Sequence, residues 1–150
     1  MNHALMVENE VLINASLDRV WDVLTNPDET RKYMFGCETV SDWKSGSPLL
    51  WRAEVEGKVT VFVKGYIVSI KPGQMLAYTT FDPNNPSIED IPENYLTVTY
   101  NISDVDGQTR LVVTQGDYSM VADGEKRYND TVNGGGWASV LTQIKKVAEA

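Results

Sequence analysis

The amino-acid sequence predicts an α+β domain, in which a curved antiparallel sheet wraps around a long C-terminal helix and two short helices follow the first strand. Three observations carry that prediction. Runs rich in β-branched and aromatic residues, separated by tight-turn signals, fill the chain from about residue 38 to residue 118; strands joined by hairpins make an antiparallel meander, not βαβ units. Capped apolar patterns of helical spacing follow the first strand, and a longer one closes the chain. Only those helices are available to cover the sheet's apolar face, and a sheet closing on a helix leaves room for a cavity between them.

The elements follow in order. Residues 6–14 read as the first strand, with Val7, Val11 and Ile13 on one face and Asn14 at its end. Ser16 is a good N-cap, and Leu17, Val20, Trp21 and Leu24 then form one apolar stripe of a short helix. Asn26-Pro27-Asp28-Glu29 starts a second: Asn caps, Pro sits at the first helical position, and two acids favour the positive end of the helix dipole. This helix is expected to run to about Phe35, with Gly36 as its stop. Strands are expected near 38–43 and at 48–56, 58–70, 75–82, 94–104 and 108–117. Glu56-Gly57 and Asp106-Gly107 are hairpin turns, and Pro72-Gly73 fits a type II turn. The segment 82–94 is the one long loop. At the end, Trp137, Val140, Leu141, Ile144, Val147 and Ala148 share a helical stripe that Tyr128 and Val132 extend upstream, interrupted by Gly134-Gly135-Gly136. Each glycine costs about 1 kcal/mol inside a helix, so the run either breaks the helix or admits a close neighbour.

The 150 residues suit one domain, and a 42% hydrophobic fraction suffices for a core. The net charge of −8 argues against nucleic acid and anionic membrane as partners, since both require a basic face. No apolar run is long enough to cross a membrane. With one cysteine, Cys37, there is no intramolecular disulfide, and the first residues lack the basic and apolar regions of a signal peptide. A cytoplasmic location is therefore expected, and the Asn-x-Ser/Thr triplets at Asn14, Asn101 and Asn129 carry no glycosylation reading.

Several segments resemble a known family. They are Ile13-Asn14-Ala15-Ser16-Leu17-Asp18-Arg19-Val20-Trp21-Asp22-Val23-Leu24-Thr25, Asp42-Trp43-Lys44-Ser45-Gly46-Ser47, and Gly65-Tyr66-Ile67-Val68-Ser69-Ile70-Lys71-Pro72-Gly73, with Leu76-Ala77-Tyr78-Thr79 and Gly136-Trp137 followed by Leu141. Together they resemble the START-related, birch-pollen-allergen-like superfamily (SRPBCC), in the branch named after the C-terminal domain of the heat-shock ATPase activator. The resemblance covers nearly the whole chain. It implies a helix-grip fold, often with an internal hydrophobic pocket. It does not supply a reaction, because the superfamily includes lipid carriers, hormone binders, polyketide cyclases and co-chaperone domains.

Catalytic signals are sparse. His3 is the only histidine and sits at the terminus, so a His-based triad or a His metal site is not expected. Cys37 has no histidine to activate it and reads as a small packing residue. The acidic residues Asp82, Glu89, Asp90 and Glu93 lack the ligand alternation and central Gly of a calcium loop. The glycine run has neither the Lys nor the spacing of a phosphate loop. No metal and no cofactor is expected.

The aromatic set is more informative. Trp51, Phe62, Tyr66, Tyr78, Tyr100 and Trp137 fall on strands or the last helix, and Tyr33, Met34 and Phe35 on the second short helix. Leu96, Val98, Tyr100 and Ile102 share one face of their strand, as do Leu111, Val113 and Gln115. Gln115 on an otherwise apolar face either hydrogen-bonds a ligand or serves a neighbour, because buried amides need partners; the aromatics either line a pocket or fill a core. Arg52 and Glu54 alternate with apolar residues, as an exposed charge face or as a polar pocket end. The lead expectation is a non-catalytic binding module for a small hydrophobic or amphipathic molecule, with Met34, Phe35, Trp51, Phe62, Tyr78, Tyr100, Gln115 and Trp137 as ligand-binding candidates. Two alternatives stand beside it. One is a module that docks on a chaperone or another protein partner; the other is a cyclase- or hydrolase-like enzyme in which Tyr78, Tyr100 or a buried carboxylate serves as acid or base.

Overall fold

The structure is a computed structural model, and it describes residues 4–150. His3 lies outside the described residues. Seven antiparallel strands form one sheet in the order β1-β7-β6-β5-β4-β3-β2. They are β1 (Val7–Ile13), β2 (Glu38–Ser41), β3 (Pro48–Val55), β4 (Lys58–Lys71), β5 (Met75–Thr80), β6 (Leu96–Val105) and β7 (Gln108–Gly116). Four helices accompany them: α1 (Leu17–Thr25), α2 (Pro27–Tyr33), α3 (Gly124–Asn133) and α4 (Ala138–Glu149). This is the α+β helix-grip architecture expected of the sequence. Among the described residues, no helix is long and apolar enough to cross a membrane.

The helix starts follow their caps. The Ser16 hydroxyl accepts from the Arg19 N–H at 3.2 Å, and the Asn26 side chain accepts from the Asp28 N–H at 3.0 Å. Val20, Val23 and Leu24 are buried, so α1 presses a broader face on the core than its first stripe suggests. Arg19 joins three helices. It donates to the Val147 and Ala148 carbonyls at the end of α4 (2.8 and 3.4 Å) and lies 3.4 Å from Glu29 of α2. Burial pushes the Glu29 carboxyl up, but its bonds from Lys32 and Arg19 hold it below the ordinary range overall. A cation on the last carbonyls of α4 also opposes that helix's dipole.

Two helical expectations need correction. The second helix ends at Tyr33, with Met34 as its cap residue, so Met34 and Phe35 lie in the following turn, where Phe35 takes a left-handed φ of 53°. The long C-terminal helix is divided in two by the glycine run. Gly135 and Gly136 have φ of 93° and 60°, and a Cβ on Gly136 would lie 2.6 Å from Asn9 Oδ1 and 3.0 Å from Val7 Cγ1. The run therefore both stops α3 and lets the chain press against β1, where Asn9 accepts from the Trp137 N–H at 2.9 Å.

The main core joins the inner face of the sheet to α1, α2 and α4. Ile13, Leu49, Ile67, Leu76, Val98, Leu111 and Ile144 are among its fully buried members. A smaller cluster of Val7, Leu96, Tyr118 and Val121 packs against Tyr128 of α3, and Trp137 touches both.

Loop 82–94 is tied down at several points. Asn84 donates to the Val61 carbonyl at 2.9 Å, Asp90 pairs with Lys64, and the Tyr95 hydroxyl donates to Asp90 at 2.6 Å. Phe81 and Tyr95 stack at 4.9 Å beneath. The Lys64 ammonium, followed by the Tyr95 hydroxyl, holds the Asp90 carboxyl below its ordinary range. A carboxyl depressed by folding contributes its stabilisation above the unfolded pKa and loses it as pH falls through the folded pKa. Acidification below the usual aspartate range is therefore expected to lower the protection of amides in 82–94, measured against the intrinsic exchange rate at each pH, while Asp90→Asn shows the lowered protection already at neutral pH. Exchange in the loop that ignores both changes would refute the latch.

Candidate functional site

A cavity of about 410 Å³ opens between the sheet and the turn after α2. Successive strands build its wall. Trp51 comes from β3, Phe62 and Val63 from β4, Tyr78 and Thr80 from β5, Val98 from β6 and Gln115 from β7. Met34, Phe35 and Cys37 close one side, and Trp137, just before α4, closes another. Among the described residues, no charged side chain lines it.

All the candidate residues except Tyr100 therefore meet at one cavity. Tyr100 lies one layer behind, fully buried, with its hydroxyl 2.7 Å from that of Tyr78. The aromatic rings form a connected set: Trp51 with Tyr78 at 6.0 Å, Tyr78 with Tyr100 at 5.5 Å, and Tyr100 edge-on to Trp137 at 5.9 Å. Phe35 (88% exposed) and Phe62 (39% exposed) stand at the mouth. Gln115 accepts from the Trp137 indole N–H at 3.0 Å, so it serves a neighbour from the cavity wall.

Sequence reasoning gives Cys37 only a packing role and does not single out Val63 or Thr80. Thr80 was within reach of strand alternation, two residues beyond Tyr78 on one face. Val63 was not. The β3–β4 pairing shifts between Trp51 and Arg52, so that Trp51 faces Val63 and Arg52 faces Val61. Phe62 is the extra residue of this bulge, which is how two consecutive residues reach one cavity. Arg52 and Glu54 lie away from it. Arg52 donates to Glu38 at 2.9 Å, and Glu38 is also bonded by Arg31 at 2.7 Å, a cross-strand charge face.

The ionisable groups here are all held in their neutral forms. Burial pushes the phenols of Tyr33 and Tyr78 well above the ordinary tyrosine range and raises Tyr100 as well; it also raises the Cys37 thiol. Among the described residues, no cluster of His, Cys, Asp or Glu is placed to hold a metal ion. A second cleft of about 340 Å³ shares Val63, Thr80 and Gln115 with the cavity and continues to Arg127, Asp130 and Thr131 of α3. The apolar chamber thus has a polar neighbour.

Fold and cavity together define a helix-grip domain of the START-related class. The family model described as "Activator of Hsp90 ATPase homolog 1-like protein" matches residues 14–149, and the chain belongs to that family. Among solved structures, the ChR145 protein of Cytophaga hutchinsonii is 32% identical, with a TM-score of 0.71 over 97% of this chain and 94% of that one. The Aha1 dimer of Colwellia psychrerythraea is 16% identical, with a TM-score of 0.67 over 96% of each chain. CalU16 of Micromonospora echinospora is 15% identical, with a TM-score of 0.56 over 96% of this chain and 83% of that one. The last two are similar in fold alone. Among curated proteins the sequence has no match.

Proposed function

We propose that the protein binds a small hydrophobic or amphipathic molecule, without chemistry, in the cavity between the sheet and Trp137. The observation that carries this reading is a chamber of about 410 Å³ with aromatic walls and no charged lining residue. Apolar pockets of this size enclose small ligands. The adjoining cleft with Arg127 supports the amphipathic case, since a polar end has somewhere to go. Catalysis lacks an obvious base, because burial holds the phenols and the thiol protonated at neutral pH.

Ligand binding to the native state raises its stability; at a hundred times Kd the gain is about 2.7 kcal/mol. For a domain of this size that corresponds to roughly 5–10 °C in Tm. Screening a library of lipids and aromatic metabolites by melting temperature is expected to find such shifts. Val98→Phe, which puts a ring into the cavity, is expected to remove them while the protein stays folded. A library without hits, together with native mass spectra free of co-purified ligand, would overturn the proposal.

The family's description supports a second reading, docking on a chaperone or another protein through the acidic surface. A partner held in this way should be released by salt. Capture experiments at low ionic strength that yield no salt-sensitive partner count against it.

A further inference from the structure

The cavity wall carries two polar hydrogens that the described residues leave without an acceptor. The first belongs to the tyrosine pair. Tyr78 and Tyr100 are buried to 1% and 0% exposure, and their hydroxyls bond each other at 2.7 Å. Two phenols bring two protons, and one bond uses one of them. Tyr33 offers no outlet: its hydroxyl donates to the Val23 carbonyl at 2.8 Å, and no hydrogen bond joins it to either phenol of the pair. When Tyr100 donates to Tyr78, the spare O–H belongs to Tyr78, the member of the pair that lines the cavity.

The second belongs to Gln115. The Trp137 indole can only donate, so the Gln115 oxygen faces it at 3.0 Å and the amide NH2 is the end left over. Among the described residues that NH2 has no acceptor. Gln115 is half-buried and its NH2 is open to water, so an occupant that displaces that water without supplying an acceptor leaves the donor unpaired, at about 1–3 kcal/mol, and one that supplies an acceptor is favoured. Among the described residues no cation lines the chamber to offset a buried carboxylate, so the acceptor belongs to a neutral group.

We infer that the cavity selects an uncharged, largely apolar molecule whose carbonyl-type oxygen (ketone, quinone or ester) accepts from the Tyr78 hydroxyl and the Gln115 amide. This rests on the proposal that the cavity holds a small molecule.

Fluorenone and fluorene test it, because they share a ring skeleton and differ in a carbonyl against a methylene. By titration calorimetry, fluorenone is expected to bind about tenfold more tightly. Tyr78→Phe and Gln115→Leu, singly and then combined, should bring the ratio of the two affinities towards one. Tyr100→Phe should keep the preference, since the Tyr78 hydroxyl remains; melting curves check that each variant folds. Equal binding of the two probes by the unaltered protein overturns the inference and leaves the cavity proposal standing. A preference that survives the combined substitution also overturns it. Binding of neither probe overturns the inference; the cavity proposal falls only if the metabolite library and the native mass spectra are empty as well.

Discussion

Gly65→Ala is expected to destabilise the protein by about 3 kcal/mol or more, the upper range for forcing atoms into a packed site. A Cβ on Gly65 would lie 1.8 Å from the Thr79 carbonyl oxygen and 2.5 Å from its carbon. Those are backbone atoms, so no side-chain rotation relieves the contact. Relief requires β4 and β5 to part, where the Tyr66 N–H bonds Thr79 Oγ1 at 3.0 Å and Lys64 bridges to Phe81. Tyr78 and Thr80 flank Thr79, so the same displacement should weaken whatever the cavity binds. Gly73→Ala is the control. Its Cβ meets nothing within 4 Å, and only its left-handed φ of 76° is at stake, worth about 1–2 kcal/mol. Urea unfolding compares the two; a loss at Gly65 no larger than at Gly73 would mean that the strand contact gives way easily.

Trp137→Ala is the second large effect, about 3 kcal/mol by the usual cost of truncating a packed indole. Trp137 packs on both hydrophobic clusters, stands edge-on to Tyr100 and donates to Gln115. Its loss unpins the start of α4 and opens the cavity on that side. Trp137→Phe keeps most of the ring but leaves the Gln115 oxygen unpaired, for about 1 kcal/mol. Thermal and urea unfolding of the two variants should preserve this ranking. If Phe proves as costly as Ala, hydrogen bonding outweighs packing here and the ranking fails.

The parts of the fold legible in the sequence are those set by neighbours along the chain. Glu56-Gly57 and Asp106-Gly107 do form tight turns, with left-handed φ at all four residues. Ser16 and Asn26 do cap helices. Leu96, Val98, Tyr100 and Ile102 all face the core as alternation requires. What was hidden depends on strand register and on contacts between distant segments. The bulge opposite Trp51 puts Phe62 and Val63 on one cavity, and no local pattern marks it. Tyr78 and Tyr100 look alike as candidates, yet the pairing that sets Tyr78 opposite Val98 and Tyr100 opposite Leu76 puts one in the wall and the other behind it. Composition flags the glycine run as a break or a close approach; only the position of Asn9 on β1 makes it both.

The break before α4 also divides the molecule's stability. Helix α4 sinks Leu141, Ile144 and Ala148 into the main core, whereas α3 buries only Gly124 and rests on the small cluster through Tyr128. Segments with few buried apolar contacts open at lower free energy than the whole molecule unfolds, as separate cooperative units. The turn and helix from Asp117 to Gly136 form such a unit, bounded by the glycines that free them from α4. They flank the polar cleft beside the cavity, so their amides are expected to exchange at lower free energy than those of the sheet and α4. For the ligand binding proposed above, an opening there would be limited by Tyr118, Tyr128 and their few neighbours, not by the stability of the domain.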